Sequence, residues 1–350
     1  MTKFFVNGRF LSQRVSGVQR FAREIVRALK VAGWHFEVLA PCDADLNGFE
    51  SVTSVVGRTK GHVWEQVELP RAVPKDGILI SLGNTAPFIC NRQVVTLHDV
   101  AYLHHPESFN WKIRHLYKAC MPLLISRARH VVTVSEFSKS EISRTYNLAE
   151  TDISVIYNGV ASAFQPADTP RQSQTILAIA DNGDQKNYVA ILRAAQALSY
   201  RYPLELRVVG SSTRFHHETE FNRFNDRSQI TLLGHLDDDE FAREYANATC
   251  FVFAPFYAGF GIPPIEAQMC GCPVIVGSAT VFPEVLRDSV LYFDSSNPAA
   301  LALQIERVFN DEALRQSLAS RGLSNAARFS WCRSAEKLKQ VAEIVANERY

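Results

Sequence analysis

The stretch Pro255–Gly271, PFYAGFGIPPIEAQMCG, sets residues able to hold an anion beside one able to hold a hydroxyl. Gly259-Phe260-Gly261 is a glycine-spaced turn, and glycine lets backbone N–H groups approach a ligand with no Cβ in the way. Pro263 and Pro264 suit the opening of a helix, where a missing N–H costs nothing. The helical run ends near Gly271, and Cys272–Gly277 (CPVIVG) reads as a buried strand. N–H groups bared at a helix N-terminus form an anion site. Glu266 is expected in the first helical turn, able to accept from a ligand hydroxyl. A phosphate and a sugar hydroxyl this close together describe a nucleotide or a nucleotide-sugar. The same residues would equally serve a tight strand–helix connection whose glutamate only steadies the helix dipole.

Other polar residues fall where strands end or helices begin. Ser16-Gly17 opens a helix running to about Val31, with Val18, Phe21, Ile25 and Leu29 at helical spacing. It is either a second anion contact or a plain cap. Leu82-Gly83-Asn84-Thr85 follows one apolar run and His98-Asp99 another. Ligands of open α/β sheets bind at the carboxyl ends of strands, which makes His98 a site candidate. Lys186, in the polar turn Asp181–Asn187, brings a positive charge to the start of a helix at Tyr188–Tyr200.

The elements that must position these residues alternate. Short apolar runs at 3–7, His35–Ala40, Val52–Val56, Ile78–Ser81, Val94–Leu97, His130–Val134 and Ile153–Tyr157 suit a buried parallel sheet. Gly8–Ser16 reads as a loop. Ser135 is set to cap a helix opened by Glu136, and Phe109–His130 is a helix with a basic face that suits either solvent or a membrane surface. After a polar, proline-containing linker at Ala161–Gln174, strands recur at Thr175–Ala180, Leu204–Val209, Ile230–Leu233, Cys250–Ala254 and Pro273–Val276. The fold class is α/β, with two Rossmann-like domains facing across a cleft. A last helix from about Arg333 to Asn347 is predicted to cross back onto the N-terminal domain. The expected division is 1–165 with about 332–350, and 166–331.

Composition narrows the function. At 350 residues with 47% hydrophobic and 21% charged residues, the chain is an ordinary globular protein of about two domains. Residues 1–165 carry five more basic than acidic residues and the remainder four fewer, which leaves +1 in total. That balance, with no basic stripe, argues against nucleic acid as a partner. A G-x-G-x-x-G fingerprint after a strand is absent, which disfavours an NAD enzyme. Cys270 and Cys272 have no Cys or His partner pair at metal spacing, and no metal cofactor is expected. The seven cysteines read as reduced thiols, MTKFFVNGRF lacks a signal-peptide apolar core, and no apolar run would span a bilayer, so a cytoplasmic protein is expected.

Taken together, the motifs resemble a family. SGVQRFAREIVRAL, VVTLHDVAYLHHPESF, ARHVVTVSEFSKSEI, VIYNGV, DNGDQKNY, LRVVGS, ITLLGHLDDDEF, FVFAPFYAGFGIPPIEAQMCGCPVI, FPEVLRDS and FSWCRSAEKL occur in its order along nearly the whole chain. The chain is similar to retaining GT-B glycosyltransferases of family four (group 1). It most resembles bacterial enzymes that transfer mannose or rhamnose in O-antigen and exopolysaccharide assembly. The resemblance implies that Lys186 binds the donor diphosphate and that Phe260 and Gly261 offer N–H groups to the donor sugar. Glu266 would hold the ribose, and His98 would sit over the donor sugar. Gly17 would admit the donor phosphates, while His235 and Leu236 would meet the base. Gly210, Gly259 and Ile262 complete the implied donor set, and Asn84, Thr85 and Asp99 fall on the acceptor side. The implied partners are a nucleotide-sugar, GDP-mannose first, and a glycan or lipid-linked oligosaccharide acceptor, with peripheral contact at the cytoplasmic face of the inner membrane as a further expectation.

Two positions depart from the family pattern. Of its two glutamates, the first is Ala258 here and only Glu266 remains. No cation stands just before Lys186, since Ala180, Asp181 and Gln185 are uncharged or acidic. The loss at Ala258 keeps open a catalytically weakened nucleotide-sugar-binding subunit, and the two-domain architecture, which nucleotide-sugar epimerases can share, keeps open an epimerase.

Overall fold

The computed structural model describes residues 3–106, 111–167, 171–180, 187–210, 228–278 and 280–347. It divides into two units, Met1–Gly159 with Ser330–Tyr350, and Val160–Phe329. The first crossing thus lies earlier than the expected position after residue 165.

In the first unit the strands are β1 (Phe4–Asn7), β2 (Glu37–Ala40), β3 (Thr53–Val55), β4 (Ile78–Ser81), β5 (Gln93–Thr96), β6 (His130–Thr133) and β7 (Ile153–Val155). They pair in parallel in the order β3-β2-β1-β4-β5-β6-β7. β4 and β5 are buried at every residue, as expected of strands covered on both faces. The order reverses between β1 and β4, and the carboxyl ends flanking that point are where open sheets bind ligands. Helix α1 (Gly17–Val31) buries Phe21, Ala22, Ile25, Val26 and Leu29. Helix α2 (Trp111–Arg127) contains Pro122. Helix α3 (Glu136–Tyr146) begins at Ser135, whose side chain accepts from the Ser138 N–H. The C-terminal helix Trp331–Asn347 belongs to this unit, where it packs on α1, β4 and β5 and buries Ala335, Leu338, Val341, Ala342 and Val345.

One segment here differs from expectation and another was not anticipated. Gly8–Ser12 is a 3-10 helix rather than loop; the Asn7 side chain accepts from the Arg9 N–H, and Phe10 and Leu11 are buried beneath it. Gly61–Ala72 is helical throughout, with a π turn at Trp64–Glu68. That wider turn breaks the 3.6-residue repeat by which a helix is recognised.

The second unit has β8 (Thr175–Ile179), β9 (Glu205–Val209), β10 (Gln229–Gly234), β11 (Cys250–Phe253), β12 (Val274–Gly277) and β13 (Leu291–Phe293), all parallel, in the order β10-β9-β8-β11-β12-β13. Its helices are α4 (Tyr188–Ser199), α5 (Asp238–Asn247), α6 (Ile262–Met269), α7 (Pro298–Asn310) and α8 (Glu312–Ala326). β13 escaped the sequence reading because it is a three-residue edge strand with two half-buried positions. Among the described residues, no helix is long and apolar enough to cross a membrane. The seven cysteines are free thiols.

Candidate functional site

In the second unit the order reverses between β8 and β11, and Pro255–Gly261 leaves the carboxyl end of β11. Gly261 is the N-cap of α6 at φ +92°, and a Cβ there would lie 2.8 Å from the Phe282 ring. Only glycine meets both demands, one conformational and one steric. No side chain caps the helix. Its end is built with equal care. Gly271 sits at φ +69°, its N–H donates to the Gln268 carbonyl and that of Cys272 to Ala267, which is a Schellman closure. α6 is thereby held as a short rigid peg, bare at its start.

Glu266 is not in the first turn of α6, as the sequence suggested. The helix starts at Ile262, so Glu266 stands on its second turn, buried at 4% exposure.

Ala258 has a defined surrounding. Its N–H donates to Thr280 Oγ1 at 3.4 Å, and that hydroxyl donates to the Ala258 carbonyl at 3.3 Å. Thr280 has φ +55°, a rare conformation for a β-branched residue. The loop that has lost a carboxylate is thus tied down by a strained threonine that the sequence reading did not single out.

Other expected donor residues lie along the same carboxyl edge of the sheet. Gly210 ends β9 at φ +134°, and a Cβ would fall 1.6 Å from the Ala180 carbonyl oxygen. Its N–H donates to Gly234 at 2.8 Å. Gly210 therefore has a full structural reason: it lets the ends of β8, β9 and β10 converge. His235 is exposed and Leu236 half-buried, between β10 and the Asp237–Glu240 capping box of α5. Lys186 lies outside the described residues. Next to it, Asn187 has φ +49° and donates through Nδ2 to the Ser295 carbonyl at 2.6 Å, which anchors the start of α4.

In the first unit, His98 follows β5 and is buried at 6% exposure. Its Nε2 lies 3.0 Å from the Leu82 carbonyl, an acceptor only, so Nε2 carries the proton and Nδ1 the lone pair. Burial pushes its pKa down to about 4 against the opposing pull of that hydrogen bond, so the ring is neutral near pH 7. Phe21 of α1 meets the ring edge-on at 5.0 Å. Asn84, at φ +61°, accepts the His98 N–H on Oδ1 at 2.8 Å. Asp99 Oδ1 accepts from the Ala101 N–H at 3.0 Å, and burial holds its carboxyl above the usual range.

Thr85 belongs to a network absent from the sequence reading. Its hydroxyl accepts from Arg9 at 2.7 Å and donates to Glu65 at 2.9 Å. Fully buried Glu65 also accepts from Asn7 at 2.8 Å and pairs with Arg9 at 3.1 Å. Burial works against its charge, but His62, Arg9, Asn7 and Thr85 together hold its pKa below the usual value. The network joins three separate segments, Asn7–Arg9, His62–Glu65 and Thr85, so no single local spacing reveals it.

Gly17 opens α1. A Cβ there would meet nothing within 4 Å. The N-cap Ser16 side chain accepts no helix backbone N–H; its Oγ donates instead to the side chain of Gln19, on the first turn, at 2.5 Å. The fold itself does not require a glycine here. What the glycine does is leave the helix start uncovered.

Comparison with known proteins agrees with this architecture. The profile of the family described as "Glycosyltransferase Family 4" matches residues 15–164, and that of "Glycosyl transferases group 1" matches residues 162–324. The chain is 29% identical over 265 residues to O-antigen chain mannosyltransferase B of Escherichia coli, covering 70% of this chain and 68% of that one. It is 27% identical over 288 residues to O-antigen chain mannosyltransferase RfbU of Salmonella typhimurium, covering 80% of each. Among solved structures, Anabaena HepE in complex with UDP and glucose superposes with a TM-score of 0.77 at 16% identity, over 98% of this chain and 100% of that one.

Proposed function

This chain belongs to the GT-B glycosyltransferases that join a family 4 domain to a group 1 domain, and on that premise we propose that it transfers a mannosyl group with retention of configuration. The donor is a nucleotide-sugar, GDP-mannose first, and the acceptor a glycan or lipid-linked oligosaccharide in surface-polysaccharide assembly. The observation that carries the donor site is Gly261, whose φ of +92° and whose packing on Phe282 leave the start of α6 bare above a buried Glu266. The mannosyl assignment draws on the two relatives named O-antigen mannosyltransferases.

The chemistry follows from charge. As the bond from sugar to phosphate breaks, negative charge grows on the diphosphate. Lys186 and the start of α6 would stabilise it, and one such fixed donor is worth roughly 2.7–4 kcal/mol of barrier. Glu266 would bind the ribose. His98, neutral and held by Leu82 and Asn84, would orient the donor sugar without adding charge near the forming cation. The acceptor hydroxyl would attack on the leaving-group face, and the departing phosphate would take its proton. No carboxylate stands at Ala258, so a covalent intermediate on that position is not part of this scheme. Metal ions take no part in it either. The basic stretch Trp111–Arg129, which contains no acidic residue, would rest against an anionic membrane face.

Thermal unfolding against GDP, UDP, dTDP and ADP, with and without EDTA, tests the reading. A nucleotide at 100 times its Kd stabilises by about 2.7 kcal/mol. One base should shift the melt, equally with EDTA present. A folded protein indifferent to all four overturns the donor site. Ala258 favours a second reading, a subunit that binds donor without turnover; a GDP shift with no transfer from GDP-mannose to any mannoside would establish it.

A further inference from the structure

The π turn Trp64–Glu68 brings two consecutive side chains to one loop. In a regular α-helix consecutive side chains diverge by about 100°. A π turn is wider, lessens that angle and occurs frequently at functional sites. Glu65 Oε1 accepts the Thr85 hydroxyl at 2.9 Å and Asn7 at 2.8 Å, while Oε2 accepts Arg9 at 3.1 Å. Gln66 takes the following residues of the same loop. Its Nε2 donates to the Ala86 carbonyl and its Oε1 accepts the Phe88 N–H, each at 3.0 Å.

The other end of that loop holds His98. The Leu82 carbonyl accepts from Nε2 at 3.0 Å, and Asn84 Oδ1 accepts the His98 backbone N–H at 2.8 Å. Asn84 keeps a left-handed φ of +61°, which persists only where the surroundings over-determine it. On one side its own N–H donates to the Thr96 carbonyl at 3.1 Å; on the other the chain is anchored at Thr85. Glu65 is 0% exposed. A buried ion pair does little better for stability than apolar side chains packed in its place, although breaking one is costly. What this pair supplies is a fixed place for Thr85.

We infer that Glu65 and Gln66 are positioning residues for the transfer, fixing the His98 ring through the loop Leu82–Phe88. The inference rests on the transferase reading and deepens it, giving the π turn a part in the reaction without contact to substrate.

The ring itself reports on this. With isotope-labelled histidine in the full chain, proton–nitrogen correlation spectra show which ring nitrogen carries the proton, and the His98 signals are those that His98→Gln removes. The parent chain should show Nε2 protonated. Glu65→Gln keeps the shape and loses the charge opposite Arg9; Gln66→Leu leaves the buried pair intact and releases the loop. In both, the two nitrogen shifts of His98 should draw together as the Leu82 hold loosens. With GDP-mannose and methyl α-mannoside, kcat should fall about tenfold in each while the donor KM stays within about twofold. In the His98→Gln background the same substitutions should lower kcat by less than about twofold more, because an effect that passes through His98 is lost with it. Unchanged His98 signals beside a lower melting temperature overturn the inference, since the network then only supports the fold. A full tenfold loss in the His98→Gln background overturns it too. If Glu65→Gln does not fold, Gln66→Leu decides alone. The spectra need no turnover, so they decide the inference even where the nucleotide melt overturns the transferase reading.

Discussion

His98 shows how one residue ties stability to pH. Its ring is neutral in the native state, with a pKa near 4 against 6.5 in an unfolded chain. Between those values the unfolded chain binds a proton that the native ring refuses. Stability is therefore complete above pH 6.5 and falls as the pH drops toward 4, by roughly 3 kcal/mol in all. Glu65 acts in a separate window: its depressed pKa contributes above the ordinary 4.5 and is lost only below it. His98→Gln keeps a donor for the Leu82 carbonyl and removes the titration, so its melting temperature should run flatter than that of the parent chain between pH 4 and 6.5. A parallel slope would show the window to belong to other groups. Two glycines give a contrasting pair. Gly261→Ala meets both a left-handed backbone and the Phe282 ring; it should cost roughly 1–2 kcal/mol on backbone grounds alone and weaken nucleotide binding too. Gly17→Ala meets nothing and should leave the denaturation midpoint unchanged while lowering turnover. Both glycines drew attention in the sequence by their place beside a helix start, where an anion contact and a plain cap or tight connection read alike. The strained Thr280 announced nothing, since its conformation exists only through its bond to a loop more than twenty residues earlier in the chain.

The elements were legible where their period was regular. The buried strand ILIS and the apolar stripe of α1 are local patterns, and they folded as read, while the strand expected at Val94–Leu97 lies one residue earlier at Gln93–Thr96. Failures came where geometry departs from the standard repeat: the 3-10 helix at Gly8–Ser12, the π turn at Trp64–Glu68 and the three-residue edge strand β13. The depth of Glu266 in α6 failed for a related reason. A proline-rich start does not say which residue is N1, and one position moves a side chain by about 100°, which is the 3.6-residue turn itself. Two serines test the remaining point. Ser135 and Ser16 both occupy N-cap positions, but only Ser135 accepts a helix N–H, from Ser138 at 3.0 Å. Ser135→Ala should cost about 1 kcal/mol in urea denaturation, and Ser16→Ala less than about 0.5 kcal/mol. Equal costs would mean that α1 is capped after all and that its start is not kept open for a ligand.

At the scale of the whole molecule, the candidate residues are divided by unit. Gly259, Phe260, Gly261 and Glu266 lie in the second unit, while Gly17, Asn84, His98 and Asp99 lie in the first. The alternation of strands and helices made the doubling of the fold readable, because each half repeats the same sheet order from its own first strand. The linker's composition placed the boundary only approximately, since polar residues mark exposed chain rather than the point where one core stops and the next begins. The division has a consequence that hydrogen exchange can read. Each unit has its own sheet, so a ligand held by one unit alone slows exchange there first. A nucleoside diphosphate without sugar should protect peptides within Pro255–Gly277 and leave Asn84–His104 at its original rate. The proposed donor site demands this result, for it sets the diphosphate at the start of α6, in the second unit. Protection of the first unit alone by nucleotide would move the donor site to the Gly17 end of α1 and dismantle the assignment of Glu266.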